Sequence, residues 1–352
     1  MSMSPRQRAV AALKGEIPDR VPCVPLIDTS YAAAIAGMPV SECFINPEAY
    51  AQALVATLER HPDIDGVSIN IGLSDDIILE HKKTNGVHSI RTNGGLTWTV
   101  PENDIGSIEH CEITEFTDPR IDTDEYLMQA CLRTLKAIPE AIRRKYLINT
   151  TVTGPYSQIA FLIGVNELMF ATIDRPEGLE AAIRKRVPFA LKWVDELAKL
   201  DPGCIWIGEG FASNSLVDRE TYRRFVMPYE RLVVDRIHAI DKTSILHICG
   251  KLDDSLESLL ETGSDGVEID WQVDMPDAKR RIGRAMTLKG NLNTSALVKS
   301  TPDELYAMTR DLIQQGKPGG RFILSSGCCL GRDTPPASVD AMVRACEDFG
   351  AY

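Results

Sequence analysis

Short apolar runs alternate along the chain with longer stretches in which apolar residues recur at helical spacing. The short runs have the length and β-branched composition of buried strands, and the longer stretches have the period of amphipathic helices. This alternation of strands and helices is typical of a (β/α)8 TIM barrel, an α/β fold, which we predict as one domain over residues 1–352. The eight predicted strands are 21–28, 65–72, 145–154, 203–210, 244–250, 265–271, 285–291 and 321–328.

Two segments depart from the regular alternation. Ser4 as a cap, Pro5 in the first turn and Gly15 as a stop predict an N-terminal helical extension. Between 73 and 145, the turn signals Asn85-Gly86 and Asn93-Gly94-Gly95 and the alternating sequence GLTWTV predict a β-hairpin inserted before the third strand. A doubly wound open sheet is the main alternative fold, but no Gly-x-Gly-x-x-Gly follows an early strand.

Composition and charge narrow the class of protein. The 352 residues are 44% hydrophobic and 25% charged, and no apolar run has the length of a membrane span or of a signal-peptide core. Nine cysteines without a secretory signal favour reduced thiols, so we expect a cytoplasmic protein. A net charge of −12 with no basic block argues against nucleic acid or an anionic membrane as a partner.

Polar and metal-binding residue types collect where the predicted strands end, although the strand interiors are apolar. The C-terminal ends of the strands are the catalytic face of a TIM barrel, so these residues are the candidates for chemistry. They are Asp28, Asn70, Tyr156 just past a Gly-Pro, Glu209, His247 with Cys249, Asp270, Asn291 and Cys328.

His247 and Cys249 are two residues apart in a predicted strand, so their side chains point to the same face. Cys328 and Cys329 end the last predicted strand, and in an extended chain only one of the two can face inward. One imidazole and two thiolates form a site that suits Zn²⁺, and three protein ligands leave a fourth position open, as in catalytic sites. The alternative is a hydrogen-bonded core histidine with cysteines that only pack.

Four stretches together resemble the uroporphyrinogen decarboxylase superfamily, and within it the cobalamin-dependent methyltransferase branch that includes methylcobalamin:coenzyme M methyltransferases. They are RQRAVAALKGEIPDRVPCVP (6–25), GPYSQIAFLIG (154–164), HICG (247–250) and GCCLGRDTPPASVDAMVRA (327–345), and the resemblance covers essentially the whole chain. Decarboxylases of the superfamily carry an arginine-rich motif after the first strand, where this chain reads VPLIDTS without arginine. The resemblance therefore favours the methyltransferase branch.

The resemblance implies that zinc is held by His247, Cys249 and Cys328, which selects Cys328 over its neighbour. It also implies a carboxylate near the metal. Asp270 or Glu209 would fill that role, as a ligand, as a substrate contact or as a support for a ligand.

The implied reaction is transfer of a methyl group between a corrinoid and a zinc-activated thiol resembling coenzyme M or homocysteine. The alternatives are methylation of cobalt(I) from a methoxylated substrate, as in the first step of an O-demethylase, and a metal-free decarboxylase-like protein. Corrinoid carriers of this class present Asp-x-His-x-x-Gly, and none of the six histidines here has Asp two residues before it. We therefore expect cobalamin to be supplied by a separate corrinoid protein, and a homodimer is left open.

Asn70, Tyr156 and Asn291 are the candidate substrate-binding residues, for a small-molecule methyl donor or acceptor. Tyr156 has a packing alternative and Asn291 an alternative role in forming a turn.

Overall fold

The structure, a computed structural model, describes residues 3–70, 72–93, 95–111, 113, 115–122 and 127–352. Seven strands form a parallel sheet in the order β1-β6-β7-β8-β9-β10-β11, and four form an antiparallel sheet in the order β2-β3-β4-β5. The strands are β1 (Gly66–Ile69), β2 (Ile78–Thr84), β3 (Val87–Thr92), β4 (Thr97–Pro101), β5 (Ser107–Glu109), β6 (Leu147–Thr153), β7 (Cys204–Gly208), β8 (Ser244–Ile248), β9 (Gly266–Ile269), β10 (Thr287–Leu292) and β11 (Phe322–Ser326).

Helices follow most of the parallel strands and cover the outside of the sheet, which gives the TIM-barrel-like α/β architecture that the sequence predicts. The helices are α1 (Pro5–Leu13), α2 (Thr29–Ala36), α3 (Val40–Ile45), α4 (Pro47–Arg60), α5 (Leu127–Ala137), α6 (Glu140–Lys145), α7 (Pro155–Ile163), α8 (Val165–Asp174), α9 (Pro176–Ala198), α10 (Arg219–Phe225), α11 (Met227–Ala239), α12 (Leu256–Leu260), α13 (Met275–Arg281), α14 (Thr294–Lys299), α15 (Pro302–Gly316) and α16 (Pro336–Phe349). That residues 1–352 form one domain stays a prediction.

The prediction of a regular first strand over 21–28 is wrong. In this segment only Cys23 forms a β-bridge, parallel to Leu324 of β11. Pro22 and Pro25 have no N–H to donate to a neighbouring strand, so a continuous ladder cannot form.

The same segment nevertheless lies between the two ends of the parallel sheet. On the β11 side, the N–H of Val24 donates to the carbonyl of Leu324 at 2.8 Å. On the β1 side, the N–H of Asp65 donates to the carbonyl of Cys23 at 2.7 Å, and the N–H of Ser68 donates to that of Ile27 at 3.2 Å. Residues 22–27 therefore take the place of an eighth strand and complete the barrel. We call this segment the irregular stave.

The insertion before β6 is larger than the predicted hairpin, because it is a four-stranded antiparallel sheet. The predicted turn at Asn85-Gly86 is confirmed, with φ of 50° and 77° at these residues, as a two-residue hairpin turn requires. Gly94 of the second predicted turn lies outside the described residues. Ile90 and Trp98 are buried in the main hydrophobic core, which attaches the inserted sheet to the barrel.

The predicted N-terminal helix is confirmed as α1, with Ser4 and Gln7 forming a capping box. Among the described helices, none is by itself long and apolar enough to cross a membrane. The pair α7 and α8 meets that test only when counted together, across a bend of 112°.

A buried carboxylate joins α1 to the bottom of the barrel. The side chain of Asp65, just before β1, is fully buried and forms ion pairs with Arg8 of α1 and Arg20. It also accepts the N–H of Cys23 at 2.7 Å, which fixes the start of the irregular stave. The negative charge at residue 65 thus links three separate segments.

We predict that Asp65→Asn lowers the free energy of unfolding by about 3–5 kcal/mol, because Arg20 loses its buried counter-charge and Arg8 keeps only that of Asp19. Urea denaturation of the variant and the wild type measures the difference. Asp235→Asn is the control, since Asp235 and Arg231 form an exposed pair at 4.0 Å and should lose less than about 1 kcal/mol. Equal losses in the two variants would contradict the prediction.

Candidate metal centre

Strand register places three ionisable side chains in one row of the barrel interior. His247 of β8 pairs with Glu268 of β9, and Glu268 pairs with Lys289 of β10. Residues at paired positions of parallel strands point to the same side of the sheet. All three side chains are buried.

Two thiols meet the imidazole at the end of β8. Nε2 of His247 lies 3.0 Å from Sγ of Cys249, and Sγ of Cys249 lies 4.0 Å from Sγ of Cys328. Among the described residues, these three donor atoms form one group in which all lie within 4.8 Å of one another. The predicted convergence of Cys328 on His247 and Cys249 is therefore present in the fold.

The carboxylate of Glu268 lies behind the imidazole. Its Oε2 is 3.1 Å from Nδ1 of His247 and accepts the indole N–H of Trp206 at 2.9 Å, while its Oε1 forms an ion pair with Lys289. The ring of Trp206 also packs on the ring of His247, with centroids 4.7 Å apart. These contacts hold the imidazole so that Nε2 is the nitrogen directed at the thiols.

The charges in this row determine the protonation of the donor atoms. Burial opposes ionisation of Glu268, but Lys289 and His247 outweigh it and lower the pKa of the carboxyl group. Burial also lowers the pKa of His247, but Cys328 and Glu268 outweigh it and raise the pKa to about 9. Contacts with Cys249 and Cys329 lower the pKa of the Cys328 thiol.

The expectation that only one of the two adjacent cysteines can face inward is wrong. β11 ends at Ser326, so Cys328 and Cys329 lie in a bend rather than in an extended chain, and both line the same cavity. Cys329 contacts Asp28, and its sulfur accepts a hydrogen bond from the amide of Asn70 at 3.7 Å. It is not part of the three-atom ligand group.

Glu209 follows β7 and caps the N-terminus of α7 instead of facing the thiols. Its carboxylate accepts the backbone N–H groups of Tyr156 at 3.3 Å and Ser157 at 2.8 Å. Gly154 makes room for it, because a Cβ there would lie 1.9 Å from Oε1 of Glu209. Burial raises the pKa of Glu209 to about 7, although the contacts with Ser157 oppose this.

Asp270 and Asn291 together shape the turn that follows β9. Oδ1 of Asp270 accepts the N–H of Gln272 at 3.0 Å, and the amide of Asn291 donates to the carbonyls of Asp270 at 3.1 Å and Val273 at 2.7 Å. Contact with Cys328 and burial raise the pKa of the Cys249 thiol, and the nearby charge of Asp270 adds to this effect. Within the described chain, neither Asp270 nor Glu209 belongs to the ligand group.

The cluster opens into a cavity of about 280 Å³, which we call the inner cavity. Its wall includes Trp206, Asn70 and the three ligands. A second cavity of about 440 Å³, the outer cavity, lies between the barrel mouth and the inserted sheet. Asn70 lines both, whereas Tyr156 lines neither and is fully buried.

Sequence reasoning missed Glu268, Lys289 and Trp206 as parts of this centre. A signal was present, because Glu and Lys stand in the middle of two consecutive apolar strands where charges are rare. Such charges are normally paired. Recognising Glu268 and Lys289 as one ion pair requires the register of the two strands.

Comparison with known proteins finds relatives named as methyltransferases and others named as uroporphyrinogen decarboxylases. The model of the uroporphyrinogen decarboxylase family matches residues 4–349. The methylated-thiol–coenzyme M methyltransferase of Methanosarcina mazei is 30% identical over 219 residues, which span 61% of this chain and 57% of that relative. A methylcobamide:CoM methyltransferase of the same organism is 23% identical over 351 residues, which span 98% of both chains.

A solved structure of a methyltransferase from Methanosarcina mazei superposes with a TM-score of 0.81. It covers 99% of each chain at 21% identity. This likeness extends over the barrel and the inserted sheet, and it shows that the fold is the same.

We predict that Glu268→Gln weakens zinc binding by about 10–100-fold, because the imidazole loses the charge that orients it. The variant also leaves Lys289 buried without a counter-charge, so its free energy of unfolding should fall by about 3–5 kcal/mol. Zinc titration against a competing chelator and urea denaturation measure the two effects.

The double variant Glu268→Gln/Lys289→Met separates the two roles of Glu268. It removes the uncompensated charge, so it should regain much of the stability but not the zinc affinity. Recovery of both together would mean that Glu268 acts only through stability.

Proposed function

Because the chain belongs to the uroporphyrinogen decarboxylase family, we propose that it is a zinc-dependent methyltransferase of the corrinoid-linked kind. It moves a methyl group between a corrinoid carried by a separate protein and a small molecule, with a thiol as the acceptor. The observation that carries the proposal is the group formed by His247, Cys249 and Cys328 at the C-terminal mouth of the barrel.

The donor set fits zinc. One imidazole nitrogen and two sulfurs are soft and borderline donors of the type that zinc prefers, and three protein ligands leave room for one from the substrate. When bound there, zinc supplies Lewis acidity, which lowers the pKa of a coordinated thiol so that it is a nucleophile at neutral pH.

The residues around the ligands have separate tasks. Glu268, paired with Lys289, lies 3.1 Å from Nδ1 of His247 and so favours Nε2 as the nitrogen that donates to the metal. Trp206 packs against the imidazole ring, with centroids 4.7 Å apart. Asn70, half-buried at the junction of the two cavities, offers an amide to a substrate that reaches the sulfurs.

Decarboxylation of a polycarboxylate receives less support from the cavities. Among the described residues that line either cavity there is no lysine or arginine to bind carboxylate groups. Relatives that act on methylcobamide and coenzyme M support methyl transfer instead. Cytoplasmic residence stays a prediction.

We predict that Cys328→Ser lowers bound zinc to well below one equivalent and abolishes methyl transfer, because one of the three ligand residues is lost. Metal analysis after purification in the presence of zinc, together with a methyl-transfer assay, measures both. Cys329→Ser is the matched control, since the adjacent thiol lines the same cavity but is outside the ligand group. A stoichiometric zinc content in Cys328→Ser would contradict the proposal.

We also predict that turnover requires a second protein. None of the six histidines lies in Asp-x-His-x-x-Gly, so the chain with free methylcobalamin should react slowly and a methylated corrinoid protein should accelerate transfer. Loss of the methyl–cobalt absorbance in the presence of a thiol measures the rate. Equal rates with free and protein-bound cobalamin would rule out the carrier requirement.

A further inference from the structure

The loop after β7 packs on the residue that follows one of the ligand cysteines. Gly250 comes directly after Cys249, and a Cβ at Gly250 would lie 3.1 Å from the hydroxyl oxygen of Ser213. The N–H of Asn214 also donates to the carbonyl of Lys251 at 2.8 Å. The loop that contains residues 213–217 is therefore held against the chain that carries the thiol of Cys249.

The turn after β9 packs in the same way beside the other ligand cysteine. Gly327 comes directly before Cys328, and a Cβ at Gly327 would collide with the backbone of Trp271. The side-chain amide of Asn291 also donates to two carbonyls of this turn, at 3.1 and 2.7 Å. The backbone of Trp271 is therefore fixed against the bend that carries Cys328.

Each of these two loops exposes one large apolar side chain. Leu216 is 44% exposed and Trp271 is 48% exposed, and neither lines the inner or the outer cavity. A third apolar side chain, that of Ile105 in the inserted sheet, is 42% exposed and lines the outer cavity. Loops that follow barrel strands form the face around a TIM-barrel active site. We call Ile105, Leu216 and Trp271 the apolar rim.

The support of the apolar rim distinguishes it from scattered surface residues. A single exposed apolar side chain is ordinary on a protein surface. The backbones of the two loops, however, are already fixed by packing on glycines and by hydrogen bonds, so little conformational entropy is lost when a partner covers Leu216 and Trp271. Tryptophan is also among the residue types that contribute most to binding at interfaces. The rim is therefore suited to a partner that covers the mouth of the barrel.

The size of the apolar rim fits a short-lived partner better than a second copy of this chain. A half-exposed tryptophan offers on the order of 100 Å² of surface, and the two aliphatic side chains offer less. Stable interfaces bury about 1,200–2,000 Å², and those of permanent dimers are larger and more apolar. A carrier protein that delivers a methyl group must leave after each turnover, so a small apolar contact suits its exchange.

We propose that the apolar rim is the docking surface for the separate corrinoid protein, with Trp271 as its principal contact. The proposal rests on the proposed function, because that reaction brings a corrinoid protein to the mouth of the barrel. The partner is recognised by an apolar patch on its own surface that covers Trp271 and Leu216. Docking is thus assigned to residues that neither belong to the ligand group nor line the inner cavity.

Steady-state methyl transfer from a methylated corrinoid protein that contains Asp-x-His-x-x-Gly tests the proposal, with coenzyme M or homocysteine as the thiol. Trp271→Ala should raise KM for the corrinoid protein about tenfold or more, the effect of removing a central interface residue, and should change kcat much less. Leu216→Ala should raise the same KM about threefold. An unchanged KM in both variants would overturn the proposal. So would an equal loss of activity with free methylcobalamin, which has no protein surface to dock.

Leu232→Ala is the matched control for Leu216→Ala. Leu232 is 47% exposed but lies on α11, on the outside of the barrel. Its replacement removes the same atoms from the surface and should leave KM for the corrinoid protein unchanged. A rise in KM equal to that of Leu216→Ala would show that the effect does not come from the mouth and would overturn the proposal.

Direct binding separates this proposal from the proposed function. Sedimentation velocity of the full chain mixed with the corrinoid protein measures the complex whether or not a methyl group is transferred. A complex that weakens in Trp271→Ala, formed by a chain without zinc or transfer, would overturn only the methyltransferase. Full zinc content and active transfer with the same Kd in the wild type and both rim variants would overturn only the docking surface. A change in the sedimentation of the chain alone in Trp271→Ala would assign the rim to a second copy and overturn the proposal.

Discussion

The candidate metal centre depends on one buried carboxylate. Glu268 stands between His247 and Lys289 on three adjacent strands, and its ion pair with Lys289 keeps it charged within the barrel. Breaking such a pair is costly, because the remaining charge cannot be hydrated. The charge of Glu268 directs one imidazole nitrogen inward and leaves the other for the thiols. Strand packing and ligand orientation therefore rely on the same interaction.

The cysteines add a second constraint, which comes from the ends of the strands. Cys249 directly follows β8, and Cys328 lies in the bend after β11. In a closed barrel these strand ends face a common mouth, although 79 residues separate the two thiols in the chain. The irregular stave at 22–27 contributes to closure in spite of its prolines, because its carbonyl groups still accept hydrogen bonds from β1 and β11.

The inserted sheet has a different task from the barrel. The barrel supplies the ligands and Asn70, whereas the insertion supplies Trp98 and Ile108 to the outer cavity. The three ligand residues of the proposed site thus lie in the barrel, and part of the outer cavity wall comes from the insertion. Relatives that are 23–30% identical carry names that refer to different substrates. A change in the insertion can alter the outer cavity without disturbing the ion pair behind His247.

Local sequence alone determined which elements form and which residues stand at their ends, because hydrophobic period, capping residues and turn residues act over a few positions. It identified seven of the eight staves as strands, the Asn85-Gly86 turn, and His247 with Cys249 on one face. The strand ends also offered Cys328 or Cys329 as a third ligand, and resemblance to a known family selected Cys328. Only the tertiary structure decided the register that pairs Glu268 with Lys289, the burial of Tyr156, the capping role of Glu209 and the inward position of Cys329. These depend on contacts between residues far apart in the chain, which no local pattern encodes.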